Sequence, residues 1–242
     1  MSKKLSKGEY AQKMKDIRKK VYDDIDEHAL DIIRDQEEYV SFLELYSRLN
    51  YTVFNTLAVH AVKPDATAIN DFAGWKEAGT PVKNKEQGIH ILAPDGTYID
   101  SEGNERTSFK VKAVFDVSQT NGGHVEAKSY NLKDVRDSLI FGDEESYEGL
   151  SLSDAIDYAC KREGEPNDEI TIAAAAYALK HRYGVTPNRF EEDVVSYFSD
   201  TTEPAGAKSQ LREVDKIYKA VKEKIDYGLY IREKEKTDEQ QR

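Results

Sequence analysis

Five histidines are the first candidates for metal ligation or general-base work in this sequence, and none has the company that either role needs. His28 lies in DEHALD, His60 in VFNTLAVHAV, His90 in GIHILAP, His124 beside two glycines, and His181 in KHRYG. No two sit a helical turn apart, and His-Glu-x-x-His, which sets two ligands and a base on one helix face, is absent. A Gly-x-Ser-x-Gly elbow and a glycine-rich phosphate loop are missing too. Carboxylates abound, but Asp23, Asp24, Asp26 and Glu27, and likewise Glu191, Glu192 and Asp193, fall in runs that read as solvated helix faces. Cys160, the one cysteine, excludes an internal disulfide and reads as filler on a helix. The residues point to a non-catalytic chain that calls for no cofactor and no metal.

What remains is chemistry for holding an anion. The stretch WKEAGTPVKNKEQGIHILAP, residues 75–94, carries the only tryptophan off a helix end, through a turn bearing Lys83 and Lys85, and into a short apolar strand. Such a turn is either an ordinary helix-to-sheet connection or a grip on something negatively charged.

The elements around it follow from periodicity. Tyr10, Met14, Ile17, Val21, Ile25, Leu30 and Ile33, then Tyr39, Phe42, Leu43, Tyr46 and Leu49, recur at three-and-four spacing and predict two helices broken near Asp35. A third helix runs through VFNTLAVHAV to a stop at Pro64, and a short one follows, with Thr67 as its expected cap and Gly79 as its terminator. GIHILAP and TSFKVKAVFDVSQT, joined through Asp-Gly and Glu-Gly-Asn turns, predict an antiparallel hairpin over about residues 88–120. Helices return in LKDVRDSLIF, SLSDAIDYACKRE, EITIAAAAYALKHRYG, FEEDVVSYF and a long segment over about residues 206–236, striped by Leu211, Val214, Tyr218, Val221 and Ile225. The fold class is α+β, helix-rich, with a small antiparallel sheet packed against helices. Gly142 and Gly149, flanking an acidic run, mark the expected boundary between a unit at 1–141 and a helical unit at 150–242.

A formal net charge of -11 excludes a duplex-coating protein that relies on bulk positive charge. The charge is uneven: residues 1–20 hold eight basic and two acidic side chains, whereas residues 21–50 hold two basic and nine acidic. Any nucleic-acid contact must come from a local patch. No apolar run reaches the roughly 18 residues of a membrane span, and MSKKLSKGEY lacks the apolar centre of a secretory signal, so a cytoplasmic protein without membrane contact is expected.

Several short motifs then occur in one order: Tyr51, Asn55 and Leu57; PDAT at 64–67; Trp75 with Lys76; the turn and strand at 82–89; and VFDVSQT at 114–120. Together they resemble the N-terminal domain of ArdC-type antirestriction proteins, found in plasmids, conjugative elements and phages. The resemblance covers roughly residues 39–121 and implies binding of single-stranded DNA. It assigns Tyr51 and Trp75 as base-stacking faces, Lys76, Lys83 and Lys85 as a phosphate track, and Asn55 and Gln119 as polar contacts, since a single strand presents bare base faces beside a charged backbone. Read without the resemblance, Trp75 is a core residue, Asn55 a backbone cross-link and the two turn lysines need no partner.

The sequence also departs from the family. Phe54 stands where a second Asn is usual, Val62 where Gln is common, and Thr80 and Gln87 where Arg and Lys are common, which weakens the cationic track. The second half resembles a shortened, metal-free remnant of the family's peptidase domain, with Ala173 where that domain has an acidic zinc ligand. Two functions follow as expectations, with an enzyme built on an unfamiliar carboxylate site ranked behind both. One is a non-catalytic single-stranded-DNA-binding protein of a mobile element or phage, with an antirestriction or DNA-protecting role. The other is an acidic protein that engages or inhibits a host or element-encoded protein, through surfaces such as the apolar stripe of the last helix.

Overall fold

The computed structural model describes residues 6–122, 125, 128–185 and 189–240. Helix α1 (Lys7–Ile32) opens on a capping box, in which Ser6 and Glu9 each satisfy the other's backbone amide. Asp35 caps α2 (Gln36–Arg48), placing the predicted break where a side-chain oxygen is needed for the first free amides. Thr52 caps α3 (Val53–His60) in the same way.

Strand β1 (Ile69–Asp71) comes next and was not foreseen. It leads straight into α4 (Phe72–Glu77), whose cap is Asp71 rather than the expected Thr67; the amide of Thr67 is instead held by the Asp116 carboxylate. Gly79 does end the α4 turn, with φ of 74°. Strands β2 (Ile89–Ile99) and β3 (Glu105–Asp116) form the predicted hairpin, and β3 lies at the centre of an antiparallel sheet of order β1-β3-β2.

The helical second half comprises α5 (Leu132–Ile140), α6 (Leu152–Gly164), α7 (Glu169–Tyr183), α8 (Val194–Tyr197) and α9 (Pro204–Gln240). The stretch expected as one helix at FEEDVVSYF yields only the four residues of α8, because the Gln36 side chain takes the Glu192 carbonyl and the Val194 amide just before it. Cys160 is fully buried in α6, and burial pushes its thiol pKa upward.

One core runs through α1, α2, α3, α5, α6, α7 and α9. The stripe of α9 is part of it: Leu211, Val214, Tyr218, Val221 and Ile225 are all buried. Tyr46 of α2 donates to Asp215 of α9 at 2.7 Å, Tyr183 of α7 donates to Asp226 at 3.0 Å, and Lys208 pairs with Asp26 of α1. The core is therefore continuous across residues 142–149, where Tyr147 is itself buried. A smaller core of Leu45, Leu49, Val59, Ala66, Ile89, Ile91 and Val114 fills the space beneath one face of the sheet. No helix among the described residues is long and apolar enough to cross a membrane.

Candidate nucleic-acid interface

The motif residues meet at the base of the hairpin, where Asp116 is the hub. Its carboxylate is 1% exposed and accepts from the amides of Thr67 (2.8 Å), Ala68 (3.2 Å) and Ser118 (2.9 Å). Burial works against the charge, but the hydrogen bonds from Ser118 and the Thr67 and Ala68 amides outweigh it and hold the carboxyl below its usual pKa. Gln119 is used up in the same knot. Its amide oxygen accepts from the Asp116 amide, and its nitrogen donates to the Gln87 carbonyl and to Glu86. The Pro64–Asp65–Ala66–Thr67 turn and the end of β3 are thus one structural unit, with the lysine turn strapped to it by Lys83 N–H to the Gln119 carbonyl and Asn121 N–H to the Pro81 carbonyl.

Three of the predicted contacts are consequently corrected. Trp75 is 5% exposed, and its indole N–H donates to the Phe115 carbonyl at 2.8 Å, so it anchors α4 to the sheet and offers no face to a base. Asn55 is also buried, with both ends of its amide bonded to the backbone of Leu92 at 2.9 Å. Gln119 has no donor left for a phosphate. Tyr51 is half-buried and packs on the small core beneath the sheet, beside a cleft of about 230 Å³ lined also by Tyr46, Tyr218 and Lys222. Burial raises the pKa of Tyr51.

The lysines remain at the surface. Lys76, Lys83 and Lys85 are exposed; Lys83 Nζ donates to the Ser118 carbonyl at 2.8 Å, while Lys76 and Lys85 make no hydrogen bond or ion pair among the described residues. Lys85 holds a left-handed backbone, φ 69°, that shapes the turn.

An aromatic surface that periodicity did not reveal stands beside them. Directly paired residues of an antiparallel ladder project from the same face. The pairs Asn70↔Phe115 and His90↔Ala113 therefore share the face opposite the buried Ile89, Ile91 and Val114. Near the lysine turn this face is open: His90 and Ala113 are exposed and Phe115 half-exposed. A side chain on Gly88 would press on Ala113 and Phe115, with a Cβ 3.0 Å from Phe115 Cζ, so the glycine leaves room for that ring. Phe72, 57% exposed, meets Phe115 edge-on with ring centroids 6.4 Å apart, and Lys76 follows one helical turn later. Farther along, the same face closes as Leu92 and Val111 join the main core. Alternation along β3 could have placed Phe115 on the face of Val111 and Ala113, but nothing local marks Phe72 as the outward ring and Trp75 as the inward one.

The histidines separate likewise. His28 and His60, each seemingly alone in sequence, are hydrogen-bonded ring to ring at 2.8 Å, and His60 continues to Ser41 at 3.1 Å. His124 lies outside the described residues. Among the described residues no three His, Cys, Asp or Glu side chains gather as a metal site. Phe54 lies beneath the Arg212 guanidinium of α9 at 5.0 Å.

Comparison with known proteins adds no relative: no family model, no curated protein and no solved structure matches the chain.

Proposed function

We propose that the chain is a non-catalytic single-stranded-DNA-binding protein whose bases stack on the open end of the sheet. The observation that carries this reading is the Phe72–Phe115 ring pair on an open sheet face, with the free ammonium of Lys76 one turn away and Lys85 on the adjoining turn. Base stacking tolerates any sequence because every base has a π-face, and two unpaired ammonium groups give modest, salt-sensitive affinity. The order of motifs over residues 51–120 supports the same ligand and a place in the cytoplasm of a cell that hosts a plasmid or phage, in DNA protection or antirestriction. Fluorescence anisotropy with a labelled oligonucleotide, single-stranded and duplex, at two salt concentrations tests this. Tighter single-strand binding that weakens with salt is expected; no single-strand binding at low salt overturns it.

A second reading, an acidic protein that engages another protein, loses the α9 stripe that motivated it but gains a different surface. Beyond Pro94 the hairpin leaves the body, and residues 94–107 are exposed except Asp100, with Tyr98 at 54% and Ile99 at 66%. A two-stranded arm with apolar tips is suited to a protein surface. Mass measurement and pull-down with the intact arm, against a Tyr98→Ser/Ile99→Ser variant, test this reading; a monomer that captures nothing overturns it.

A further inference from the structure

We infer that the N-terminal half of α1 is a second contact for the same single strand, with Tyr10 as a stacking face and Lys7, Lys13 and Lys15 as phosphate contacts. This inference rests on the reading of the sheet face as DNA-binding.

Three observations carry it. First, the start of this helix extends beyond the core. Val21 is the first buried residue of α1 and Ile17 the first that packs on the core, whereas Tyr10, at the outer end of the same stripe, is 58% exposed. Isolated helix of this kind is marginal in water, and here it is held by the Ser6–Glu9 capping box.

Second, this half is strongly cationic within an acidic chain. Residues 7–20 carry Lys7, Lys13, Lys15, Arg18, Lys19 and Lys20 against Glu9 and Asp16, inside a chain of net charge -11. In the first turn Lys7 is offset by Glu9, where the helix dipole acts. The lysines beyond it form a cationic face complementary to an anion. Lys19 and Lys20 are neutralised by Asp23 and Asp24, but Lys7, Lys13 and Lys15 have no such partner among the described residues. Lys7 and Lys13 flank Tyr10 at three residues on either side, which interleaves an exposed ring with two ammonium groups.

Third, α1 is joined to the sheet that bears the open face. Arg18 donates to the Phe109 carbonyl of β3 at 3.1 Å, six residues along that strand from Phe115, or about 20 Å. Tyr10 lies a further eight residues, or about 12 Å, along the helix from Arg18, so the two surfaces are within the reach of an oligonucleotide of about 20 nucleotides.

The test compares wild type, Lys7→Ala/Lys13→Ala/Lys15→Ala, Tyr10→Ala and Phe72→Ala by anisotropy over a salt series, using a labelled oligodeoxynucleotide of about 20 nucleotides. Alanine favours helix, so the variants retain α1, which circular dichroism verifies. Loss of three phosphate contacts is expected to flatten the slope of log K against log salt by about 2. Phe72→Ala is expected to weaken binding with the slope kept. An unchanged slope in the triple-alanine variant, with wild type binding normally, overturns the inference and leaves the sheet reading standing. Wild type that binds no single strand overturns both. A triple-alanine variant that loses anionic phosphatidylserine vesicles but keeps the oligonucleotide also overturns it, by giving this helix to a lipid surface.

Discussion

The side chain of Asn55 pairs with the backbone of Leu92 through two hydrogen bonds, donating to its carbonyl and accepting from its amide, both at 2.9 Å. β2 is an edge strand, and Asn55 occupies the place that a further strand would take. Substitution Asn55→Ala is expected to cost about 1–3 kcal/mol in urea unfolding, since it strands two polar backbone groups at a buried position. Asn55→Asp should be no milder, because a carboxylate accepts but does not donate to the Leu92 carbonyl. DNA affinity of the folded fraction should not change.

The two aromatic residues of α4 should respond in opposite ways. Phe72→Ala is expected to weaken single-strand binding roughly five- to hundredfold, the equivalent of about 1–3 kcal/mol of stacking, with little loss of stability. Trp75→Phe deletes the hydrogen bond to the Phe115 carbonyl and should lower stability by about 1 kcal/mol while affinity holds. Anisotropy and urea unfolding on the same two variants give the comparison.

The His28–His60 pair makes stability depend on pH. Burial lowers both pKa values, that of His60 to about 4, with the neighbouring His28 and Arg48 pushing it the same way. Asp31 and Glu38 partly offset the shift on His28. A base with a depressed folded pKa binds fewer protons than the unfolded chain. Stability is thus full above about pH 6.5 and is lost as pH falls toward 4, by roughly 2–3 kcal/mol. Depressed carboxylates such as Asp71 and Asp116 act in a lower window, below about pH 4. Unfolding free energies measured at intervals from pH 7 to pH 4.5 should slope upward with pH in wild type and lie flatter in His60→Gln.

Gly228 sets how closely α9 approaches α5. A Cβ there would lie 2.5 Å from Ser138 Cβ and 2.7 Å from its Cα, a contact that must be relieved by moving a helix. Gly228→Ala is expected to destabilise by about 1–3 kcal/mol despite the better helix propensity of alanine. Adding Ser138→Gly removes one of the two clashing atoms and should recover part of the loss in thermal unfolding.

The parts of the fold that depend on local pattern were legible. Asp35, Gly79 and the Glu102-Gly103-Asn104 turn each act on neighbouring residues, so spacing alone locates them, whereas Asp95-Gly96, expected as a second turn, is an irregularity within β2. β1 was not legible because three residues carry no period; it exists because Val117 N–H reaches the Ala68 carbonyl and Asp116 holds the two preceding amides across 48 and 49 positions. The same distance effect hid the histidine pair, whose members are 32 residues apart. For the candidate site, the sequence marks the lysine turn and leaves Trp75 either a stacking face or a core residue, and it is silent on Phe72. Helical periodicity says that Phe72 and Trp75 share a broad face, and only the position of the Phe115 carbonyl decides which ring turns inward.

The stapling of α9 onto the first helices has a consequence for synthesis. Tyr46 meets its partner Asp215 only after another 169 residues have been made. At about 5–20 residues per second, that is roughly ten to thirty seconds during which the apolar face of α2 has no lid. A nascent chain released near residue 141 would leave that face uncovered, so aggregation of such a fragment, rather than a stable first half, is the expected result.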